Sequence, residues 1–108
     1  MITTLEVLTR ARDVLAEGPH RWTRGDCARD KSGDLAAPWD SSAESWCLFG
    51  ALSKVARTEE IGGEATEILD AICGGNITHF NDDPSTTYEA IISALDRAIE
   101  IASRDVTP

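Results

Sequence analysis

Cys27, Cys47, Cys73, His20 and His79 are the groups in this sequence suited to metal or nucleophilic chemistry. Zinc takes four nitrogen or sulfur ligands in a tetrahedron, and structural sites commonly draw two of them from one C-x-x-C knuckle. No such knuckle is present, and Cys47 and Cys73 fall on apolar helical stretches, where a free thiol behaves as a small hydrophobe. The spacing therefore argues against a metal, and nothing in the sequence calls for a cofactor.

His79 opens the run His79-Phe80-Asn81-Asp82-Asp83-Pro84. As chemistry, it would be a general base oriented by Asp82 or Asp83. As structure, Asp83 suits a helix N-cap with Pro84 at the first helical position, and Asn81 or Asp82 can bond its own turn. No serine or cysteine nucleophile motif and no glycine-rich phosphate loop accompanies the histidine. No catalytic residue is assigned, and the chain reads as a non-enzyme. A ligand pocket built from Trp22, Trp46, Cys47, His79, Asn81 and Asp82 is the alternative. The competing reading places the tryptophans in the core. His20, beside Arg21 and Trp22, reads as a loop residue.

The elements that must position these residues are mostly helical. A capping box, Thr3 with Glu6, predicts a first helix over Thr4–Glu17 with an apolar stripe at Leu5, Leu8, Ala11 and Leu15, ended by Gly18-Pro19. Residues 20–40 lack a helical period. Gly33 in Arg29-Asp30-Lys31-Ser32-Gly33-Asp34 suits a positive-φ turn, which predicts a short irregular hairpin, Asp26–Arg29 returning as Asp34–Ala37, its flanking Trp22 and Trp39 lying on the helical core.

A second box, Ser41 with Glu44, predicts a helix from Ser41 to about Arg57. Its centre, Trp46 to Leu52, is apolar all round, so Gly50-Ala51 should meet a neighbouring backbone. A third helix fits Glu64–Cys73, between Gly62-Gly63 and Gly74-Gly75. Residues 76–83 read as a connector anchored by Ile77 and Phe80. A final helix runs from Pro84 or Ser85 to about Ser103, on Tyr88, Ile91, Ile92, Leu95, Ala98, Ile99 and Ala102. The fold class is mainly α: one domain over residues 1–108, a compact bundle of about four helices with a short β-hairpin between the first two.

Length and composition agree. At 108 residues and 42% hydrophobic, the chain can build one core without metal or disulfide staples. The N-terminus has no basic segment leading into an apolar run, and the longest apolar stretch is too short for a bilayer. With an odd number of widely spaced cysteines, this points to reduced thiols in a cytoplasm. The net charge of −9 lies wholly in residues 58–108, where the only bases are Arg97 and Arg104; residues 1–57 sum to zero. A nucleic-acid binder shows the opposite bias.

Trp46-Cys47-Leu48-Phe49-Gly50-Ala51-Leu52 resembles a small uncharacterised bacterial and phage family, a domain of unknown function, with a W-C-x-x-G-A-[LI] helix. In that family a later [FW]-N-D turn and a closing amphipathic helix follow, and Phe80-Asn81-Asp82 matches the turn. Trp22-Thr23-Arg24-Gly25 and Ala28-Arg29-Asp30-Lys31-Ser32-Gly33 are similar to its W-[TI]-x-G and A-R-D-x-x-G segments. The resemblance implies a mostly helical single domain and carries no activity.

The functional expectation is an acidic partner-binding protein. Glu59, Glu60, Glu64, Glu67, Asp70, Asp82, Asp83 and Glu89 would dock on the basic, nucleic-acid-binding surface of a nuclease or defence complex, as an anti-defence inhibitor of phage or mobile-element type would. Direct nucleic-acid and membrane binding are not expected. The pocket above, and a structural or assembly domain that forms homo-oligomers, are the alternatives.

Overall fold

The Thr3 side chain accepts from the Glu6 N–H at 3.1 Å and opens helix α1, Thr4–Leu15. This computed structural model describes residues 3–56 and 59–105, with side chains described for 3–56 and 63–104. After α1 come a 3-10 turn (Pro19–Arg21), strands β1 (Ala28–Asp30) and β2 (Ala43–Trp46), and helices α2 (Leu48–Val55), α3 (Glu59–Ile72), α4 (Ile77–Asp82) and α5 (Tyr88–Asp105). The fold is mainly helical, with a two-stranded antiparallel sheet between α1 and α2.

α1 packs against α2, α3 and α5, and the core lies among these four. Val7, Leu8, Ala11 and Leu15 of α1 are fully buried; Leu48 and Leu52 meet them from α2, Leu69 from α3, and Ile91 and Leu95 from α5. Each of the larger side chains, Val, Leu or Ile, contributes roughly 1.5–3 kcal/mol when withdrawn from water. The Tyr88 hydroxyl donates to the Leu15 carbonyl at 2.6 Å. It thereby satisfies one of the acceptors that a helix end leaves open and ties α5 to the end of α1.

Several boundaries differ from the sequence expectation. The strand that completes the ladder is Ala43–Trp46, not Asp34–Ala37. Residues 34–36 run along the other side of β1, through Asp30 N–H to Asp34 O at 2.8 Å and Ala36 N–H to Ala28 O at 3.1 Å. Gly33 does take a positive φ, 87°. Ser41 opens no helix, because Glu44 is drawn into an ion pair with Arg21 at 2.6 Å and Asp40 holds the Ser42 N–H in a turn. α2 begins only after Cys47, whose Sγ accepts from the Gly50 N–H at 3.2 Å.

The expected connector at 76–83 contains α4, capped by the Asn76 side chain, with Ile77 buried and Phe80 packed on the core as anchors. α3 starts before Gly62-Gly63, at Glu59. α5 starts at Tyr88 rather than Pro84 or Ser85: Thr87 accepts from the Ala90 N–H, while Asp83 serves the turn before it by accepting from Ser85. Trp39 stays 53% exposed, so only Trp22 and Trp46 join the core. No helix among the described residues is long and apolar enough to cross a membrane.

Candidate functional site

Asn81, near the end of the six-residue α4, is almost wholly buried and has all its bonding capacity used. Its Oδ1 accepts from the Trp22 indole N–H at 2.7 Å and from the Leu48 backbone N–H at 2.9 Å. Its Nδ2 donates to the Thr23 carbonyl at 3.0 Å and to Asp82 Oδ1 at 3.0 Å. Leu48 N–H is one of the four donors that the start of α2 leaves open, so Asn81 adds a second cap to the one from Cys47. An amide is required, since only a group with both acceptor and donors can serve these four partners.

The same clasp extends along residues 22–25. Asp82 Oδ1 accepts from the Gly25 N–H at 2.9 Å. Arg24 stacks its guanidinium 4.5 Å from the centre of the Trp22 ring and donates to the Thr86 carbonyl. The Ser85 hydrogen bonds, with a smaller contribution from the Arg24 charge, hold the Asp83 carboxyl below its ordinary pKa. Trp46 N–H donates to the Pro38 carbonyl at 2.9 Å, and Lys54 lies over its ring.

Gly50 sits where the backbone of Cys27 crosses α2. A Cβ built there would stand 1.9 Å from the Cys27 carbonyl oxygen, so no side chain fits. This is the close approach that the apolar centre of the helix predicts. The segments Trp22–Gly25, Trp46–Leu52 and Phe80–Asp82 thus meet in one joint centred on Asn81.

Beside the joint lies a half-open cleft of about 90 Å³, lined by Asp26, Cys27, Cys47, Phe49, Asn81 and Asp82, with Gly25 and Thr78 completing it. Of the residues expected to form a pocket, Cys47, Asn81 and Asp82 line this cleft. Trp22 adjoins it through Asn81, and Trp46 is buried on the strand pair behind. His79 is exposed on α4, with its backbone N–H bonded to Asn76. The carboxylates that would orient it are engaged by Gly25, Asn81 and Ser85 instead.

The sequence reading did not place Cys27, Asp26 and Phe49 at the pocket, because only the strand register brings residues 26–27 beside the start of α2. Burial pushes the Cys47 thiol up to about 11, and the Cys73 thiol likewise to about 11. No group of three or more potential ligands among the described residues could hold a metal ion.

The acids are distributed as follows. Glu64 and Glu67 are exposed one turn apart on α3, and Glu89 is exposed in the first turn of α5. Asp70 is half-buried and accepts from the Ile77 N–H at 2.9 Å; Asp82 and Asp83 are exposed but serve the joint and the following turn. The side chains of Glu59 and Glu60 lie outside the described residues.

The model of a family described as a family of unknown function, DUF6197, matches residues 1–101. No curated protein matches, and no solved structure matches.

Proposed function

The chain belongs to this family of unknown function, and from that premise we propose that it is an acidic partner-binding protein. Its partner is a basic, nucleic-acid-binding protein such as a nuclease or a defence complex, which it occupies as an inhibitor. The observation that carries this reading is where the cations go.

Arg10 pairs with Glu6, Arg21 with Glu17 and Glu44, and Arg29 with Asp26, so the first half neutralises itself locally. Among the described residues of the first half, Arg12, on Asp96, and Arg24, beside Asp83, reach acids of the second half; Arg104 pairs with Glu100 within α5. Glu64, Glu67 and Glu89 make no ion pair among the described residues. Carboxylates left unquenched in this way raise the encounter rate with a positive surface and weaken with salt.

The small-molecule reading has less support. The cleft of about 90 Å³ is small beside the roughly 300–1,000 Å³ of ordinary ligand pockets, and Asn81 has no free donor or acceptor to offer.

The test is capture by the immobilised protein from the heparin-binding fraction of a bacterial lysate. A specific basic protein should be retained at low salt, eluted as ionic strength rises, and lost with the combined E64Q, E67Q and E89Q variant. An empty low-salt capture, or equal capture by the variant, overturns the reading.

A further inference from the structure

Cys27 and Cys47 stand opposite each other across the strand pair. The register that sets Ala28 against Trp46 and Arg29 against Ser45 brings Cys27 to Cys47 one step on, and the Cys47 N–H donates to the Cys27 carbonyl at 3.0 Å. Opposed residues project to the same face; the pair lies one step beyond the strands and makes one backbone bond, and Cα atoms of antiparallel partners lie about 4.5–5.5 Å apart. Disulfides favour a Cα separation of about 5.5–6 Å.

Both residues line the same cleft. Cys27 is exposed and Cys47 buried, the arrangement of an accessible thiol with a sheltered neighbour. Cys73 follows the end of α3 and does not line the cleft.

We propose that Cys27 and Cys47 are a redox-responsive dithiol, oxidised by a low-molecular-weight disulfide to an intramolecular cystine at the cleft. In the first step the Cys27 thiolate attacks one sulfur of the reagent. A mixed disulfide forms on Cys27, and a thiolate leaves and takes a proton from water. In the second, Cys47 gives its proton to solvent and attacks Cys27 Sγ, forming the Cys27–Cys47 bond and expelling the second thiolate. The protein loses two electrons and two protons, and the reagent becomes two thiols.

Cys47 Sγ is also the cap of α2, where it accepts from the Gly50 N–H. Turning toward Cys27 therefore removes that cap and loosens the first turn of α2, which carries Phe49 at the cleft. Because burial holds the Cys47 thiol at about 11, the second step is slow at neutral pH. It accelerates about tenfold per pH unit below that value, as the thiolate fraction grows.

The experiment is incubation of the native protein with glutathione disulfide, followed by acid quench, intact mass and peptide mapping. The wild type and Cys73→Ser should each lose two hydrogens and yield one peptide joining residues 27 and 47. Cys47→Ser, whose hydroxyl keeps the helix cap, should stop at a glutathione adduct on Cys27 with an unchanged circular dichroism spectrum. Cys27→Ser should give neither product. A wild type that stops at the Cys27 adduct, joins Cys27 to Cys73, or links two chains overturns the proposal, as does a Cys47→Ser variant without the adduct.

Discussion

The indole of Trp22 and the amide of Asn81 stand 2.7 Å apart, Nε1–H donating to Oδ1, although the two residues are separated by most of the chain. That bond and its companions to Leu48, Thr23 and Asp82 fasten three segments that no continuous helix or sheet joins. The joint positions the cleft, and its polar atoms are spent on the protein itself. This is why the exposed carboxylates, rather than the Asn81 region, carry the functional reading.

Removing the amide should therefore be costly. Asn81→Ala leaves the Trp22 and Leu48 donors without an acceptor in a buried place and should cost about 2–4 kcal/mol in urea unfolding. Asn81→Asp keeps the acceptor but turns a second oxygen on the Thr23 carbonyl and Asp82. Burial among acceptors raises the new carboxyl's folded pKa, so this variant should regain stability as pH falls, whereas Asn81→Ala should not. Parallel pH responses in the two variants would refute the assignment of donor and acceptor.

Gly50→Ala sets helix propensity against packing. In an open helix the change gains about 1 kcal/mol. Here the new methyl meets the Cys27 carbonyl, which is itself held by the Cys47 N–H, so the strand must move off α2. The net effect should be a loss of about 2–3 kcal/mol, read as a lower urea midpoint. A gain in stability would mean that the crossing is looser than 1.9 Å implies.

The helices were legible where one local signal decided the outcome: the Thr3 cap, the stripe at Leu8, Ala11 and Leu15, and the Tyr88–Ala102 period of α5. The close approach at Gly50 was legible too, since a glycine inside an apolar helix needs a reason. Ser41 and Glu44 misled because their spacing satisfies a cap, while Arg21, distant in sequence, claims Glu44. The gathering of Trp22, Cys47, Asn81 and Asp82 was legible as a cluster, but not the four bonds that spend the Asn81 amide on the protein itself. The Cys27–Cys47 opposition was out of reach, because it depends on the register of a short strand pair that no residue pattern in β1 or β2 sets.

Glu64, Glu67 and Glu89 are exposed and unpaired among the described residues, so changing them to glutamine should leave the fold intact, within about 0.5 kcal/mol per site. The wild type, at net charge −9, should gain thermal stability as salt screens its self-repulsion. The triple variant should start higher and gain less. Melting curves at low and high sodium chloride give the comparison, and identical salt responses would show that these carboxylates do not shape the field.

The Cys47 thiol gives a second, alkaline signature. Burial raises its folded pKa to about 11 from the ordinary 9.0, so above pH 9.0 the unfolded chain ionises first and binds fewer protons than the native one. Stability must then fall as pH climbs, from full strength below 9.0 to a loss, once pH passes about 11, on the order of 2 kcal/mol. Cys73, raised likewise to about 11, adds a component of the same sign. Cys47→Ser retains an oxygen at the N-cap, matches the wild type near neutrality, and should lose a large part of this alkaline slope, the rest staying with Cys73. Urea unfolding at stepped pH measures it, and an undiminished slope in Cys47→Ser would place the titrating group elsewhere.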